Sequence, residues 1–432
     1  MIINPLLYLI STTHKHVLRS PVYQGPKIKM PSWKWIPTVV AAISAIAVYP
    51  RIPLLQTFYY NHPDRLVQIN NIGPYEIKFS DKLRSCEDVI LIENKGVAIV
   101  GCDAGRQRWN TVMGIFLRGH VPSAELYVYN YNELDDDKSL TRLQVEGYAA
   151  GDDLHTLGLA YDEATSSLFI ANHRRDGPRV DVFHLEFESH TLQHIHSIQH
   201  PLIRGPNAIH LVNSHEFYVS NDHHFLAKDS HLLSTLETYS GIPTGTLVHV
   251  DMAPLLRDPS STVDAEVVAR LPFPNGIEFI NEKTLAVAST NSASIRLYSV
   301  TPPTGSAQQG HPTLTFNSSI QLPFLPDNLS KASDGTLVIA GHPHAPSLGK
   351  FAATRHVCNS PEERAKAEPA VQELCEKMKV GSWVAQWTQA EGVKHLYAGT
   401  DFPTSCSAIR DLGRKTGIIS GLYAQGLLVW RD

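Results

Sequence analysis

The chain has 432 residues, of which 43% are hydrophobic and 18% are charged, a composition typical of a globular protein with a sizeable core. Its 37 basic and 42 acidic residues give a formal net charge of -5 and form no long block of either sign. A nucleic-acid-binding protein would carry a basic patch or stripe, so we expect no nucleic-acid partner.

The N-terminal segment, residues 1–60, is predicted to be a basic leader followed by a membrane-anchor or signal-type helix. Residues 36–49 form an uncharged, mostly apolar run that follows several lysines and arginines. This run is shorter than the about 20 residues of a membrane span and closer to the apolar part of a signal peptide. The charge asymmetry favours an uncleaved anchor with the rest of the chain on the non-cytosolic side. We therefore expect membrane association through residues 36–55, or a place in the secretory pathway or outside the cell; a buried or interfacial helix is the alternative.

Residues 81–432 are predicted to form one all-β domain. Short runs of β-branched and aromatic residues are bounded there by Gly, Pro, Asn or Asp. The predicted strands are Asp88–Glu93, Gly96–Val100, Glu125–Asn130, Ser167–Ala171, Arg179–Phe187, Glu216–Ser220, Gly245–Asp251, Thr284–Ser289, Ser294–Val300, Gly335–Ala340 and Gly421–Trp430. A helical insertion is predicted near residues 361–380, because a proline begins a run rich in Glu, Ala, Lys and Leu.

One hairpin pattern recurs along this domain about every 50 to 70 residues, a spacing expected of β-propeller blades. A polar residue and an apolar pair precede a turn such as NEKT or SDGT and then a second apolar strand. The copies begin at His155, Asn207, Asn275 and Asn328. Roughly 350 residues at this spacing predict a six-bladed β-propeller. A pair of β-sandwiches is the alternative, but sandwiches do not repeat one hairpin in this way.

The polar residues that open these hairpins are candidate metal ligands. In a propeller the first strand of each blade lines the central channel, so these residues are expected to converge there. They are Glu87, Asp88, His155, Asn207, Asn275, Asp327 and Asn328. Carboxylate and amide oxygens are the ligands that calcium prefers, whereas zinc would require imidazole or thiolate groups. Asn and Asp also begin turns for local hydrogen-bonding reasons, which is the alternative interpretation.

Several segments resemble, in order and spacing, the serum paraoxonase/arylesterase family. They are SCEDVILI, LHTLGLAYDE with NHRRDG, GPNAIHLVNSHEFYVSNDHHF, PNGIEFI, LPDNLS and AGHPH, and the match runs from about Ser85 to the C-terminus. The resemblance implies a six-bladed propeller that hydrolyses lactones or aryl esters. It also implies one catalytic calcium ion and a second, structural calcium ion in the central tunnel.

The resemblance also assigns residues to roles. The catalytic calcium ligands would be Glu87, Asn207, Asn275, Asp327 and Asn328. His155 would be the general base and His173 its orienting partner, while Asp222, His223 and His342 would lie at the substrate pocket. Asp88 and the Leu157 carbonyl would bind the second calcium, but Ala208 stands where the family has an aspartate, which argues against that site.

The implied reaction is attack of a water molecule, deprotonated by His155, on a carbonyl polarised by calcium. Asp327 or Glu87 acting on the water or as nucleophile is the alternative within the same site. The partner would be a small-molecule ester or lactone, and the sequence leaves the natural substrate and the oligomeric state open. A non-catalytic propeller binding module, or a propeller enzyme resembling gluconolactonase or strictosidine synthase, are the other hypotheses.

The five cysteines include no CxxC motif, so neither a zinc set nor a dense disulfide framework is expected. Cys358 and Cys375 flank one short charged segment and are the predicted pair; at least one thiol must remain free. The family's disulfide between the chain ends has no counterpart, because the C-terminal LLVWRD lacks cysteine. Asn317 begins an N-glycosylation triplet, which is consistent with a lumenal domain.

Overall fold

The structure, a computed structural model, describes residues 49–149, 151–303 and 310–431, which belong to one compact unit. Residues 36–48 of the predicted anchor segment 36–55 therefore lie outside the described residues, and residues 49–55 fall in a 3-10 helix, Tyr49–Arg51, and the start of a helix, Ile52–Tyr60. Within the described ranges, no helix combines the length and the apolar character that a membrane crossing requires.

The described part of the chain is mostly β, as predicted, with short helices between the strands. The strands are β1 (Ile69–Asn70), β2 (Tyr75–Lys78), β3 (Cys86–Ile92), β4 (Val97–Cys102), β5 (Trp109–Asn110), β6 (Ile115–Phe116), β7 (Glu125–Asn130), β8 (Leu140–Arg142), β9 (Gln144–Glu146), β10 (Thr156–Asp162), β11 (Ser167–Arg174), β12 (Gly177–Glu186), β13 (Thr191–Ile198), β14 (Pro206–Leu211), β15 (Glu216–Asn221), β16 (Gly245–Asp251), β17 (Asp264–Leu271), β18 (Pro274–Asn281), β19 (Thr284–Ser289), β20 (Ser294–Thr301), β21 (Thr313–Gln321), β22 (Leu325–Lys331), β23 (Leu337–His342), β24 (Ser382–Thr388), β25 (Gly392–Gly399), β26 (Ser405–Asp411), β27 (Thr416–Gly421) and β28 (Leu427–Arg431). The α-helices are α1 (Ile52–Tyr60), α2 (Asp136–Ser139), α3 (His231–Ser240), α4 (Ala253–Arg257), α5 (Ala345–Cys358), α6 (Pro361–Lys366) and α7 (Pro369–Lys377), and 3-10 helices cover Tyr49–Arg51, Ala104–Gln107 and Thr290–Ser292.

Six sheets of four or five strands and one two-stranded sheet account for these strands in the described residues. The larger sheets have the orders β3-β4-β7-β8, β10-β11-β12-β13-β9, β14-β15-β16-β17, β18-β19-β20-β21, β22-β23-β24-β25-β1 and β26-β27-β28-β2. Their first strands contact one another in a closed circle, β3 to β10, β14, β18, β22, β26 and back to β3. These six strands line a central channel with a volume of about 300 Å³.

The repeated hairpins predicted from the sequence are the first two strands of four of these sheets. Their turns are closed by short polar side chains, which is why Asn and Asp recur in them. The Asn281 side chain accepts a hydrogen bond from the Lys283 amide (3.0 Å), and Asp334 accepts one from the Thr336 amide (2.9 Å). Next to Asp334, Gly335 has a φ of 85°, which only glycine adopts without strain.

The hydrophobic core lies between neighbouring sheets, since the second strand of each sheet is apolar on both faces. All residues of β4, for example, are buried. Ala98 and Val100 of this strand pack in one cluster with Tyr129 of its own sheet and with Ile418 and Val429 of the adjacent sheet. This face-to-face packing fixes where the first strand of each sheet lies, and thereby positions the residues that line the channel.

Two predicted elements differ in the structure. Gly421–Trp430 is not one strand, because β27 ends at Gly421 and a turn precedes β28. Gly426, in that turn, has a φ of 79° and lies against the backbone of Lys78, so the chain reverses there. The helical insertion begins earlier than predicted, at Ala345, and prolines divide its later part into α6 and α7.

The predicted disulfide between Cys358 and Cys375 is present and links the end of α5 to α7. A second disulfide, which the sequence did not predict, joins Cys86 of β3 to Cys102 of β4. Cys406 is the free thiol, and it is buried in β26.

Candidate metal centre and active site

The first strand of every large sheet has a register shift near its N-terminal end, and the five residues predicted to bind the catalytic calcium occupy four of these shifts. The skipped residues are Glu87, Leu157 with Gly158, Asn207 with Ala208, Asn275 with Gly276, Asp327 with Asn328, and Cys406. A shift of this kind breaks the ladder and redirects a side chain. Proline precedes three of the skipped pairs, which is consistent with the missing ladder bond because proline has no N–H to donate.

Four of the five predicted calcium ligands line one buried cavity of about 130 Å³: Glu87, Asn207, Asn275 and Asp327. The fifth, Asn328, lines the central channel just behind them, and its amide nitrogen donates a hydrogen bond to Glu87 Oε1 (3.2 Å). All five side chains are buried. The structure therefore brings together residues that are up to 241 positions apart in the sequence.

Three oxygens in this cavity have no hydrogen-bond partner: Glu87 Oε2, Asn207 Oδ1 and Asn275 Oδ1. A buried oxygen without a donor costs about 1 to 3 kcal/mol, and more when it is charged. Burial, and then the charges of Asp88 and Asp327, raise the pKa of Glu87 well above its usual value. Convergent, unpartnered carboxylate and amide oxygens are the donor set that a hard divalent cation takes, so the residues fit calcium.

Neighbouring side chains orient the ligand groups. The Asn207 amide nitrogen donates to Asp222 Oδ2 (3.2 Å), which leaves Oδ1 of the same amide for the cavity. Asp222 is in turn paired with His223 (3.0 Å). Burial alone would raise the pKa of Asp222, but His223 holds it below its usual value. Asp222 and His223 thus lie beneath the ligands rather than in the cavity wall, and support Asn207.

His342 lies in the cavity wall and contacts a predicted ligand directly. Its Nε2 is 2.8 Å from Asp327 Oδ2, and its Nδ1 is buried without a partner. Of the three residues assigned to the substrate pocket, His342 is the one that lines the cavity.

The residues predicted for a second calcium ion offer few free donor atoms. Asp88 Oδ1 accepts hydrogen bonds from the Val89 amide (2.8 Å) and from Ser407 Oγ (2.7 Å). Its Oδ2 accepts one from the Leu159 amide (2.8 Å), so both oxygens already have protein donors. Ala208 supplies no side-chain ligand, and Leu157 lines the main cavity instead.

The predicted histidine pair lies beside the cavity, around a small space of about 10 Å³. His173 does not orient the His155 ring: its Nε2 contacts the Pro206 carbonyl (2.6 Å) and its Nδ1 contacts Thr111. Burial lowers the pKa of His173, which favours the neutral ring. The ring of His155 instead contacts Asp103, with 3.2 Å between Nδ1 and Oδ2.

Asp103 and Arg106 were missed by the sequence reasoning. Both follow β4 in an irregular segment that includes the 3-10 helix Ala104–Gln107, and this segment has no counterpart in the repeated hairpins. Arg106 lines both the cavity and the small space beside it, and donates a hydrogen bond to the Thr156 carbonyl. The remaining cavity wall is mostly apolar, with Phe58 from α1, Tyr239 from α3 and Leu348 from α5.

The sequence profile of the arylesterase family matches residues 123–362, more than half of the chain. The chain therefore belongs to the arylesterase family. Serum paraoxonase/arylesterase 2 of Rattus norvegicus is 28% identical over 190 residues, which are 43% of this chain and 48% of the relative. Serum paraoxonase/arylesterase 1 of Homo sapiens is 29% identical over 180 residues, 41% of this chain and 45% of the relative. The chain spans about half the length of the curated relatives it matches.

Solved structures similar to this one include two lactonases. One is described as a putative gluconolactonase and has a TM-score of 0.45, with 12% sequence identity, over 86% of this chain and 96% of the other. The periplasmic gluconolactonase of Pseudomonas aeruginosa has a TM-score of 0.44, with 11% identity, over 80% of each chain.

Proposed function

We propose that this protein is a calcium-dependent hydrolase of lactones or aryl esters, built on a six-bladed β-propeller. The observation that carries the proposal is the set of three unpartnered ligand oxygens in the buried cavity. Membership of the arylesterase family supports the type of reaction. The circle of six contacting first strands supports the number of blades.

Glu87, Asn207, Asn275, Asp327 and Asn328 would hold the calcium ion. Glu87 and Asp327 supply two negative charges, and the asparagines are neutral, so the ligands balance a divalent cation. Bound calcium would supply a Lewis acid that polarises the substrate carbonyl and stabilises negative charge on its oxygen. The apolar wall would exclude bulk water and hold the acyl or aryl part of the substrate.

Two histidines can take the proton of the attacking water. His342 has its Nε2 next to Asp327 and its Nδ1 buried without a hydrogen-bond partner. His155 has its Nδ1 next to Asp103 and its Nε2 3.5 Å from Asp153, so both of its ring nitrogens lie near a carboxylate. His342 lines the cavity, whereas His155 lines the small space next to it. The position of His342 favours it as the base, and the role predicted for His155 is the alternative.

The proposal is tested with the purified full-length protein on phenyl acetate and a panel of γ- and δ-lactones, after chelation and after calcium is restored. We expect turnover that is lost on chelation and recovered with calcium. Turnover that is unchanged by chelation contradicts the calcium mechanism. Calcium binding without turnover of any of these substrates would favour a non-catalytic binding module.

We also propose that the catalytic domain lies on the non-cytosolic side, anchored by the segment within residues 36–55. The two disulfides are typical of an oxidising compartment. Asn317 is exposed on β21 and accessible to glycosylation. The glycosylation and the side of the membrane are tested in microsomes that contain the full chain, by glycosidase digestion and by protease protection. A domain that is unglycosylated and sensitive to protease added outside the vesicles contradicts the proposal.

A further inference from the structure

Arg106 is a buried cation without an ion-pair partner. Its side chain is among the buried charged groups, with 3% of the residue exposed. Within the described residues it forms no ion pair, and its hydrogen bond to the Thr156 carbonyl leaves the buried Nε without an acceptor. A buried, unpaired charge is strongly unfavourable, because the protein does not replace the hydration that it loses. Glu87 lines the same cavity and Asp103 the same small space, but neither forms an ion pair with Arg106, so the guanidinium lacks a direct negative partner.

The position of Arg106 shows where that partner would lie. Glu87, Asp327 and Arg106 are the carboxylate and guanidinium side chains of the described cavity wall, which also includes His342. Two carboxylates and one guanidinium give the cavity wall a net charge of about -1. A bound divalent cation would change this net charge to about +1. The unpartnered oxygens of the cavity thus suit the cation, and the unpartnered N–H of Arg106 remains for an anion.

We infer that Arg106 binds a carboxylate carried by the substrate, so that the preferred substrates are esters or lactones with an anionic group on the acyl chain. This inference rests on the proposed hydrolase function. A guanidinium suits a carboxylate because both are planar and their hydrogen bonds are charge-assisted. The developing negative charge of the reacting carbonyl does not explain Arg106, because the bound cation would stabilise that charge and the charge is absent before the reaction begins.

The test uses pairs of phenyl esters that differ in one terminal group. Monophenyl succinate, glutarate and adipate carry a carboxylate, and the matched phenyl succinamate, glutaramate and adipamate carry a neutral amide of the same shape. We expect the wild-type protein to prefer at least one acid over its amide by about 10- to 100-fold in kcat/KM, the range for a buried charged hydrogen bond. In Arg106→Gln this ratio should fall towards one, and Arg106→Lys should retain part of it.

Arg108→Gln is the matched control. It removes the same charge two positions away, from a half-buried side chain whose Nε also lacks an acceptor but which donates to the Arg118 carbonyl and does not line the cavity. The acid-to-amide ratio should remain that of the wild type. Calcium-dependent thermal stabilisation of each variant shows that the metal centre has formed.

Two results would overturn the inference. The first is a wild-type ratio near one for all three chain lengths. The second is a preference for the acid that persists in Arg106→Gln, since the carboxylate would then be bound by calcium itself. If no ester is hydrolysed, the proposed function has failed, and calorimetric binding of monophenyl glutarate and its amide still decides the role of Arg106. Equal affinities of the wild type and Arg106→Gln for the acid would refute that role.

Discussion

Replacement of Glu87 by glutamine should change the stability of the calcium-free protein and its response to calcium in opposite directions. Without calcium, the Glu87 carboxylate is buried near two other carboxylates, and one of its oxygens has no donor. Glutamine has the same shape and no charge, so it removes an incompletely satisfied buried charge, although a polar amide atom stays in the same place. We expect Glu87→Gln to be more stable than the wild type in EDTA by about 1 to 3 kcal/mol, the cost of an unsatisfied buried group.

Calcium should stabilise the wild type and have a much smaller effect on the variant. At a free calcium concentration of about 100 times Kd, binding contributes about 2.7 kcal/mol to the free energy of unfolding. Glu87→Gln removes one of the two charged ligands in the set. If Kd then rises about 100-fold, the same calcium concentration contributes only about 0.4 kcal/mol.

Chemical denaturation in EDTA and in saturating calcium measures both effects. Glu237→Gln is the matched control, because Glu237 is also buried but accepts hydrogen bonds from the amides of His224 (2.7 Å) and Phe225 (2.8 Å). It should lose stability to a similar extent in both conditions and keep the wild-type calcium effect. The reasoning is refuted if Glu87→Gln is less stable than the wild type in EDTA, or if calcium stabilises both equally.

Three further outcomes are expected. On phenyl acetate at saturating calcium, His342→Gln should lower kcat by about 100-fold or more, as expected for loss of a general base. His155→Gln should lower kcat by a smaller factor. The reverse order would assign the base to His155. Burial, with a contribution from His311, lowers the pKa of His249 from 6.5 to about 4, so the unfolded chain binds the proton first. Protonation of His249 should therefore lower the free energy of unfolding of the wild type by about 3 kcal/mol between pH 6.5 and pH 4. Urea denaturation at the two pH values should show that His249→Gln lacks this loss. Equal losses in both proteins would contradict the role of His249. Gly276→Ala should abolish calcium-dependent stabilisation, because a Cβ at this position would lie 2.5 Å from the Leu329 amide nitrogen and 2.7 Å from Asn328 Cα and would displace the neighbouring strand. An unchanged thermal shift with calcium would show that the site tolerates this displacement.

The sequence predicted the repeated hairpins and the convergence of their opening residues because both depend on local rules. A polar residue, an apolar pair and a turn with Asn or Asp recur at a regular spacing, and sheet geometry then places the opening residues together. Glu87, Asn275 and Asp327 lie in one cavity for this reason. The turn at residues 422–426 was missed because apolar residues continue through it and conceal the end of β27.

Asp103 and Arg106 could not be predicted in the same way. They lie in an irregular segment, so no periodic pattern marks them, and their partners at His155 and Thr156 are about 50 residues away. The disulfide between Cys86 and Cys102 likewise depends on the pairing of β3 with β4. Helix α5 was missed because its sequence lacks a clear apolar stripe, and tertiary contacts of Leu348, Phe351 and Ala352 stabilise it instead.

The pairing of β2 with β28 has a consequence for the synthesis of the protein. Tyr75–Lys78 completes the sheet that also contains Leu427–Arg431, with Tyr75 opposite Trp430. At about 5 to 20 residues per second, the ribosome needs on the order of 20 to 70 seconds to make the roughly 350 residues between them. During this time the early strand has no partner, and its backbone N–H and C=O groups are open to pairing with other chains. The last sheet can form only when the C-terminal strand has left the ribosome, so nascent chains stalled before Leu427 should depend on chaperones to remain soluble.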